Sequence, residues 1–550
     1  MFFNNLENHS DNIAVHDEVT NVSVTYQELE NLVRERTEQL GDQRKLVFIE
    51  ARNSLKTVVD YLSCLRGQHV VYLLESLDRN KTQSLIQLYK PNILIGADGA
   101  IQHCNDKSLD LHEDLALLLS TSGSTGSPKF VKLSQKNIQS NAEAICEYLE
   151  LDNQDRALSH LKLHYSYGIS ILNSHLQAGA SVILTSHTVM DDGFWKVLDQ
   201  YGATSFAGVP YTFEMLLHNN FAIEKHPSLR YVTQAGGKLE ASLVKQFAEQ
   251  LGTHNVQFFV MYGQTEAAPR ISYLPPDFVL QFPGSIGKAI PGGKLFLIDE
   301  QGSRITAEDE AGELVYAGPN VMMGYATSSE ELASDETPEY LLTGDIACRM
   351  PFDFYYIVGR TSRFVKPFGI RVNLDDVQSY IKTMYAHSAV TGDDKCIIIA
   401  LKQSEECDVL DLVQKLSQKY DLPETMFSVR FYEDIPLLPS GKYDYKAILV
   451  EPENISSGKP SLLRRVLDEL VDILALKEQE WETILALYQT ILASSKISVD
   501  DTFNDLAADS LSFVSLSIEL ENVLGADLPI DWADESIRAL DVIFSRVKFG

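Results

Sequence analysis

Short apolar runs, separated by longer amphipathic stretches, recur from about residue 20 to residue 350. Each run is rich in Val, Ile, Leu and Phe; examples are KLVFIEA at 45–51, HVVYLLE at 69–75, SVILTS at 181–186 and VQFFVMYG at 256–263. Apolar runs of this length are typical of strands buried on both faces, and helices usually connect such strands. We therefore predict an α/β fold with largely parallel sheets for this part of the chain.

The pattern changes near Gly359. From there to about residue 450, the run CIIIALKQ at 396–403 predicts a strand and DVLDLVQKLSQKY at 408–420 predicts a helix. The stretch EPENISSGKP at 451–460 is rich in Glu, Ser, Pro and Gly and predicts a linker. We expect four parts, which are a core domain at 1–358, a small α+β domain at 359–450, a linker with a docking helix at 451–478, and a helical domain at 479–550.

Composition narrows the class of protein. Of the 550 residues, 45% are hydrophobic and 22% are charged, as in ordinary globular proteins. The net charge of −31 argues against nucleic acid or an anionic membrane surface as a partner, because both attract basic proteins. The six cysteines are scattered, and no secretory or membrane-spanning segment stands out. We therefore expect a cytoplasmic protein with reduced thiols.

The segment STSGSTGSPK, Ser120–Lys129, directly follows the apolar run Leu115–Leu119, which predicts a buried strand. Glycine lets the backbone approach a ligand closely, and backbone amides and hydroxyls are suitable donors to phosphate. A flexible linker is the alternative for a Gly/Ser-rich segment, but the fixed order of these residues favours a phosphate-binding loop. The order of a Walker loop is absent.

This segment resembles the phosphate-binding loop of the adenylate-forming superfamily, which contains acyl-CoA synthetases, luciferases and the adenylation domains of nonribosomal peptide synthetases. The resemblance implies a large multi-sheet adenylating domain followed by a small α+β subdomain, with ATP and Mg²⁺ as cofactors. It implies catalytic roles for Thr125 and Lys129. It also implies nucleotide contacts from the rest of the loop, namely Thr121, Ser122, Gly123, Ser124 and Gly126.

Further motifs follow in the order of that family. MYGQTE at 261–266 resembles the segment in which the aromatic ring lies against adenine and the acid holds Mg²⁺, and a carboxylate is a hard oxygen ligand that suits this ion. The resemblance gives Glu266 a catalytic role as well. By the same resemblance, the nucleotide-binding residues of this region are Gly236, Gly237, Tyr262, Gly263 and Thr265.

Two polar segments complete the predicted nucleotide site. Thr343-Gly344-Asp345 resembles the family's turn in which the aspartate accepts hydrogen bonds from the ribose hydroxyls. Arg360 matches the family's arginine for ribose and phosphate, and a guanidinium binds such oxygens as a planar fork. We interpret the nearby pair Gly324-Tyr325 as structural.

In the small domain, Ser362 stands at the hinge position, where the family usually has Asp or Lys. Gly369 falls where a pantetheine arm passes close to the backbone. LPSGK at 438–442 matches the family's segment that carries a catalytic lysine. A lysine suits this role because its mobile ammonium can reach both the carboxylate of the acid and the α-phosphate of ATP. An exposed lysine in a polar turn is the alternative for this motif alone, but its position after five earlier motifs favours a catalytic Lys442.

The tail resembles a carrier protein. In the stretch Asp509-Ser510-Leu511, the serine matches the residue that receives 4′-phosphopantetheine. WETILALYQTIL at 481–492 predicts a preceding helix. An apolar face is predicted after the serine, formed by Leu511, Val514 and Ile518, with Phe513, Leu516 and Leu520 in addition. The resemblance implies a terminal four-helix carrier domain and a phosphopantetheinyl transferase as a partner.

The segment His164–Ile169 lies where the family builds its acyl pocket, which implicates His164, Tyr165 and Gly168. Relatives that activate amino acids have an aspartate here, and this chain has none; a buried ammonium without a counterion is costly, so an amino acid is disfavoured. We expect Gly168 and the small Ser166 to leave room for an acyl chain. Ordinary core residues of a strand–helix turn are the alternative interpretation.

Together, these motifs predict an enzyme that activates a carboxylic acid with ATP as acyl-AMP. The acyl group then passes to the phosphopantetheine thiol of the enzyme's own carrier domain. We expect a medium- or long-chain fatty acid, as in the similar fatty acyl-AMP ligase–carrier proteins of tambjamine- or prodiginine-like pathways, and a downstream enzyme as a partner. The alternatives are an aryl or amino acid substrate, a catalytically degenerate scaffold, and a ligase for free CoA.

Overall fold

The computed structural model describes residues 1–77, 80–120, 129–218, 221–308, 310–365, 372–393, 395–405, 407–420, 422–437, 443–449, 484–492, 497–503, 506, 516, 520 and 536–540. The chain divides into two compact units, Met1–Glu453 and Asn454–Gly550, and each is described by itself.

The helices begin at residues that suit their ends. The side chain of Thr25 accepts from the backbone of Glu28 while the Glu28 carboxylate accepts from Thr25, a reciprocal cap that satisfies two otherwise unpaired amides. The α-helices of the described residues are α1 Tyr26–Leu40, α2 Leu55–Arg66, α3 Asn80–Tyr89, α4 Gln135–Leu149, α5 Ser166–Ala178, α6 Asp192–Tyr201, α7 Pro210–His218, α8 Ala241–Gly252, α9 Leu374–Lys382, α10 Val409–Tyr420, α11 Tyr445–Leu449 and α12 Ile484–Ile491.

The strands include the predicted apolar runs, which form β3, β4, β10 and β13 in the following series. The strands are β1 Ile13–Asp17, β2 Val22–Thr25, β3 Leu46–Glu50, β4 Val70–Leu74, β5 Ile93–Ile95, β6 Ile101–His103, β7 Leu115–Ser120, β8 Phe130–Ser134, β9 Arg156–Ser159, β10 Ser181–Leu184, β11 Ser205–Gly208, β12 Tyr231–Gln234, β13 Gln257–Gly263, β14 Arg270–Leu274, β15 Lys288–Ala289, β16 Lys294–Ile298, β17 Arg304–Ile305, β18 Ala311–Ala317, β19 Tyr325–Ala326, β20 Leu341–Met350, β21 Phe354–Arg360, β22 Phe364–Val365, β23 Val372–Asn373, β24 Ser388–Gly392, β25 Ile397–Lys402 and β26 Phe427–Tyr432.

Two large sheets have parallel centres. The first has the order β15-β14-β13-β12-β11-β9-β10-β1-β2, and its strands from β13 to β1 pair in parallel. The second has the order β19-β8-β7-β4-β3-β5-β6, with parallel pairs from β7 to β5. The prediction of an α/β fold with parallel sheets is confirmed for these two sheets.

The third sheet departs from that prediction. Its order is β17-β16-β18-β20-β21, and all of its pairs are antiparallel. Along β20, buried residues alternate with less buried ones, as in a sheet with one solvated face. The expectation of parallel strands up to residue 350 is therefore wrong for the stretch that forms this sheet.

The main hydrophobic core joins the two large sheets through helices. It contains buried side chains of β3 and β4 from the second sheet, of β1 and β10 from the first, and of α2, α4 and α5. A second core covers the other face of the first sheet with Phe194 of α6, Phe213 of α7 and Phe247 of α8. The ends of β11, β12 and β13 thus belong to a sheet that is covered on both faces, which gives the candidate site a rigid base.

The segment after β21 has a core of its own. Strands β24, β25 and β26 form a small sheet, and α9 and α10 contribute Val377 and Leu416 to the same buried cluster. The predicted strand at 396–403 and the predicted helix at 408–420 correspond to β25 and α10. Both predictions are confirmed.

The described residues of the second unit include helix α12 and an isolated β-bridge between Thr502 and Ser536. Tyr488 of α12 packs with Phe503, Leu516 and Leu520 in a small buried cluster, so the predicted burial of the two leucines is confirmed. Asp509 and Ser510 lie outside the described residues. In the ranges that the structure covers, we find no helix with the length and apolar character needed to cross a membrane.

Candidate active site

The structure places some of the predicted residues and not others. Lys129 and the predicted residues at the ends of β13, β20 and β21 are described. The predicted residues outside the described ranges are Thr121, Ser122, Gly123, Ser124, Thr125, Gly126, Gly369, Lys442 and Ser510. For Ser362 the backbone is described, in the short turn Thr361–Arg363, but not the side chain.

The residues predicted to hold adenine and ribose meet in one hydrogen-bonded cluster. The phenol of Tyr262, near the end of β13, donates to Oδ2 of Asp345 on β20. The side-chain amide of Gln264 lies 3.3 Å from the same oxygen and donates to the carbonyl of Thr343 at 2.7 Å. Nε of Arg360, which pairs with Asp345 across β20 and β21, lies 2.7 Å from Oδ1. The sequence did not single out Gln264, although it lies within the predicted motif.

The cluster is held in place by burial and by the strand that carries it. The side chain of Asp345 is 2% exposed, so its charge depends on Arg360 and on the donors around it. The hydroxyl of Thr343 donates to the carbonyl of Leu314 at 2.7 Å and accepts from the amide of Asp345 at 3.2 Å. Burial and the neighbouring Asp345 raise the pKa of Tyr262 well above its usual range, so this phenol stays a donor at neutral pH.

The predicted glycine turn lies against the predicted acyl pocket. Gly236 has a φ of +86°, which L side chains rarely adopt, and a Cβ there would lie 2.9 Å from the hydroxyl of Tyr165. A Cβ at Gly237 would lie 3.1 Å from a ring carbon of Pro210. Only glycine therefore fits at Gly236 without moving Tyr165, and the turn can approach a flat ligand closely.

Two predicted catalytic residues are joined by a third residue. Oε1 of Glu266 accepts a 2.8 Å hydrogen bond from the phenol of Tyr325, and Nζ of Lys129 lies 3.7 Å from the centre of the same ring. Tyr325 reaches this position because β19 pairs with β8, with Tyr325 opposite Val131. Burial and the carboxylate of Glu266 raise the pKa of Tyr325, so it remains a donor. The interpretation of Tyr325 as only structural needs correction, because it contacts both residues.

The surroundings of Glu266 fit Mg²⁺. Glu266 lies in the short 3-10 turn Thr265–Ala267 directly after β13, and the described residues give a hydrogen bond to one of its two carboxylate oxygens. No group of three His, Cys, Asp or Glu side chains gathers in the described ranges. A single carboxylate suits Mg²⁺, which usually binds one or two carboxylates and completes its shell with water and phosphate oxygens.

The segment predicted to form the acyl pocket begins helix α5. The hydroxyl of Thr265 donates to that of Ser166, the first residue of α5, at 3.4 Å, which links the nucleotide segment to this helix. Tyr167 lines a small cavity of about 20 Å³. The other residues that line this cavity are Ile145, Leu149, Ala157, Leu158, Ser170, Ile171, Ser174, His175, Ser205, Phe206, Ala207, Tyr231, Thr233, Met261 and Arg270.

The three residues predicted for the acyl pocket have different surroundings from one another. Tyr165 packs against the main core and Gly236, and His164 precedes it in the turn before α5. A Cβ at Gly168 would lie 2.3 Å from the carbonyl oxygen of Lys162. The expectation that Gly168 leaves room for an acyl chain is therefore wrong, because the backbone of the preceding loop fills that space.

Comparison with known protein families gives two matches on this chain. Residues 45–326, more than half of the chain, match the family described as AMP-binding enzyme. Residues 482–540 match the family described as phosphopantetheine attachment site. The second match contains Ser510, and it supports a carrier domain at the C-terminal end.

Curated relatives share about a quarter of the aligned residues. Tyrocidine synthase 2 from Brevibacillus parabrevis is 26% identical over 427 residues, which are 74% of this chain and 11% of that protein. The oxalate–CoA ligase of Arabidopsis thaliana is 26% identical over 349 residues, 62% of this chain and 65% of the relative. The long-chain-fatty-acid–CoA ligase of Bacillus subtilis (strain 168) is 25% identical over 369 residues, 62% and 63% of the two chains. The chain thus spans less than two thirds of each of these relatives.

Solved structures with low identity have the same fold. The crystal structure of ATP-bound MatB from Rhodopseudomonas palustris superposes with a TM-score of 0.68 at 22% identity, covering 82% of this chain and 97% of MatB. The o-succinylbenzoate coenzyme A synthetase MenE from Bacillus subtilis, in complex with ATP and magnesium ion, gives a TM-score of 0.67 at 22% identity and covers 81% and 99%. The predicted fold class, a multi-sheet α/β adenylating domain, is confirmed.

Proposed function

Because this chain belongs to the family of AMP-binding enzymes, we propose that it is an ATP-dependent ligase that loads its own carrier domain with an acyl group. One observation carries the proposal: an AMP-binding domain and a phosphopantetheine attachment site lie on the same chain. The hydrogen-bonded cluster of Tyr262, Asp345 and Arg360 supports a nucleotide site in the first of these domains.

In the first step, a carboxylate oxygen of the acid attacks the α-phosphorus of ATP. The bond from this phosphorus to pyrophosphate breaks, and acyl-AMP forms. We assign Tyr262 and the turn at Gly236 to adenine, and Asp345 and Arg360 to the ribose. Mg²⁺ held by Glu266 supplies positive charge next to the phosphates. Lys129, Thr125 and Lys442 are proposed to stabilise the charge that develops on the phosphate oxygens.

In the second step, a thiol sulfur forms a bond to the acyl carbon while the bond from this carbon to the AMP oxygen breaks, and a thioester, AMP and a proton result. 4′-Phosphopantetheine, when attached to Ser510, supplies the thiol that accepts the acyl group. We propose that the small domain turns about Ser362 between the steps and that Gly369 lets the arm pass. We keep the four predicted parts in this scheme, which are the core domain at 1–358, the small domain at 359–450, the linker with a docking helix at 451–478 and the carrier domain at 479–550. A phosphopantetheinyl transferase and a downstream acyl-accepting enzyme are the proposed partners.

For the substrate, we propose a carboxylic acid with a hydrocarbon chain, and specifically a medium- or long-chain fatty acid. The apolar side chains of Ile145, Leu149, Phe206 and Met261 line the small cavity and give it the hydrophobic character that a hydrocarbon chain requires, and the cavity of about 20 Å³ must widen to admit such a chain. The described lining contains no aspartate or glutamate, which disfavours an amino acid, because its ammonium would lack a counterion. The curated relatives do not decide the acid, since their names range from oxalate to long-chain fatty acids.

The test is the intact mass of the holo-protein after incubation with ATP, Mg²⁺ and a panel of acids. We expect a mass increase equal to one acyl group, and the size of the increase identifies the acid. Ser510→Ala should form acyl-AMP but gain no acyl mass. Holo-protein that gains no mass with any acid would contradict the proposal. Acyl mass on the Ser510→Ala variant, or product formed only with free CoA, would contradict loading of its own carrier domain.

A further inference from the structure

Two arginines lie on either side of the proposed hinge, and each is held by an aspartate. Before Ser362, Arg360 ends β21 and forms its ion pair with Asp345 of β20 in the core domain. After Ser362, Arg363 forms an ion pair with Asp375, in the first turn of α9 in the small domain. Each side of the hinge is therefore anchored to a different domain, and Ser362 lies between the two anchors.

The side chain of Arg363 also contacts the helix that follows Lys442. Arg363 is 8% exposed, and its guanidinium carbon lies 4.0 Å from the ring centre of Tyr445, the first residue of α11. Its Nη2 lies 3.5 Å from Oε1 of Gln378, and this oxygen accepts a 3.2 Å hydrogen bond from the phenol of Tyr445. An arginine suits this position because its planar guanidinium can pair with a carboxylate and stack on an aromatic ring at the same time.

Tyr445 lies next to one end of the segment 438–442, which carries the proposed catalytic lysine. This segment lies outside the described residues, but the residues on both sides of it are described. Leu437 and Tyr443 form an antiparallel β-bridge, and the ring of Tyr443 lies 6.2 Å from the ring of Tyr445. The two ends of the segment are therefore joined to each other, beside the ring that contacts Arg363.

We propose that Arg363 is a positioning residue for Lys442, because its contact with Tyr445 sets where the lysine-bearing segment lies relative to the hinge. The inference rests on the proposed function, in which Lys442 assists acyl-AMP formation and the small domain turns between the two steps. A displacement of about 1 Å that arises far from the reacting atoms can slow a reaction by about 10²-fold. Loss of the contact should therefore slow acyl-AMP formation. Transfer of the acyl group to the thiol, in which Lys442 has no assigned role, should keep its rate.

Variants of Tyr445 test the contact without changing the charge beside the hinge. Tyr445→Leu removes the ring, leaves the ion pair between Arg363 and Asp375 in place, and keeps an apolar side chain against the small core that Tyr445 packs on. Tyr445→Phe is the conservative variant, because it keeps the ring and loses only the hydroxyl. Arg430→Gln is the matched control: Nη1 of Arg430 donates to the carbonyl of Ile448 at 2.8 Å, so this arginine also contacts α11, but near its other end.

The first measurement is exchange of labelled pyrophosphate into ATP with a panel of hexanoate, octanoate, dodecanoate, palmitate, benzoate and alanine. In Tyr445→Leu we expect kcat to fall about 10- to 100-fold while the KM for ATP stays close to the wild-type value, since Lys442 is proposed to act on charge that develops in the transition state. Tyr445→Phe should keep most of the exchange, and Arg430→Gln all of it. Unchanged exchange in Tyr445→Leu, or an equal loss in Arg430→Gln, would overturn the inference.

The second measurement isolates the transfer step. The holo-protein receives the chemically synthesised acyl-AMP of the acid that gives the fastest wild-type exchange, and intact mass follows the acyl group on the protein. Tyr445→Leu should gain acyl mass at the wild-type rate, whereas a general defect of the fold would slow both steps. A loss in transfer as large as the loss in exchange would overturn the positioning role. Wild-type protein that exchanges with no acid of the panel would instead contradict the proposed function itself, and the inference with it.

Discussion

The phenol of Tyr325 lies 2.8 Å from Oε1 of Glu266 and donates a hydrogen bond to it. These residues are 59 positions apart in sequence. The same ring contacts Lys129, at the end of the predicted phosphate-binding segment. One side chain therefore contacts both the proposed Mg²⁺ ligand and this lysine, and it connects two parts of the proposed phosphate site.

Removal of the hydroxyl of Tyr325 should weaken Mg²⁺ binding. Tyr325→Phe keeps the ring beside Lys129 but leaves Glu266 without this donor, and loss of such a supporting hydrogen bond costs about 10- to 100-fold in metal affinity or activity. The measurement is a Mg²⁺ titration of pyrophosphate exchange at saturating ATP. Tyr201→Phe, which removes a hydroxyl that lies 3.4 Å from Asn21, is the control. An unchanged Mg²⁺ dependence in Tyr325→Phe would contradict this role.

Alanine at Gly236 tests the role of the glycine turn in ATP binding, and alanine at Gly302 is the matched control. Both have a positive φ, +86° and +79°, but a Cβ at Gly302 meets no atom within 4 Å, whereas one at Gly236 meets Tyr165. Each change to alanine should cost about 1 to 2 kcal/mol of stability from backbone strain. Only Gly236→Ala should also raise the KM for ATP, and Tyr165→Phe in the same chain should partly restore it. Equal KM values in both alanine variants would remove Gly236 from the site.

Asp345 organises the cluster around the proposed ribose position. Asp345→Asn keeps the shape of the side chain but leaves Arg360 without its ion-pair partner and weakens the bond from Tyr262. Because hydrogen bonds to charged groups contribute about 1.5 to 3 kcal/mol, the KM for ATP should rise about 10- to 100-fold. Asp353→Asn, in which the changed carboxylate is 76% exposed, is the control. A normal KM in Asp345→Asn would show that the cluster serves only the fold.

The stability of the first unit should fall in mild acid because of His69. Burial, together with the nearby Lys45, lowers the pKa of His69 to about 4, while the unfolded chain protonates near 6.5. Between these pH values the unfolded chain binds the proton that the folded one excludes, so stability is complete above about pH 6.5 and decreases toward pH 4. At pH 5 the loss is about 2 kcal/mol.

Urea unfolding at several pH values measures this contribution. His69→Gln should flatten the decrease between pH 7 and pH 5 by about 2 kcal/mol, whereas His254→Gln, at an exposed position, should leave it unchanged. A curve for His69→Gln that runs parallel to the wild-type curve would contradict the assignment.

The sequence predicts the buried parts of this fold well, because burial leaves a local signal. Strands β3, β13 and β25 each contain at least four consecutive apolar residues, with polar or charged residues only at their ends, so their strand character is visible without a partner. The antiparallel sheet of β16, β17, β18, β20 and β21 is not visible in this way. Its strands have a solvated face, and their pairing depends on turns and on contacts between distant residues.

The candidate site also contains some residues that have a local sequence signal and others that only the folding of distant strands brings together. Tyr262, Glu266 and Asp345 lie in contiguous motifs and are found from sequence. Tyr325 is missed because only the pairing of β19 with β8 brings it to Glu266.

We infer that this chain joins an acid to AMP with the help of Lys442, a lysine of the small domain. Acid-dependent exchange of labelled pyrophosphate into ATP, measured for the holo-protein and for Lys442→Ala, tests this role. The control is Lys446→Ala, four residues away at an exposed position of α11. We predict exchange that requires both acid and Mg²⁺, a loss of about 10²- to 10³-fold in Lys442→Ala, and no loss in the control. Undiminished exchange in Lys442→Ala, or folded wild-type protein that exchanges with no acid, would contradict the account.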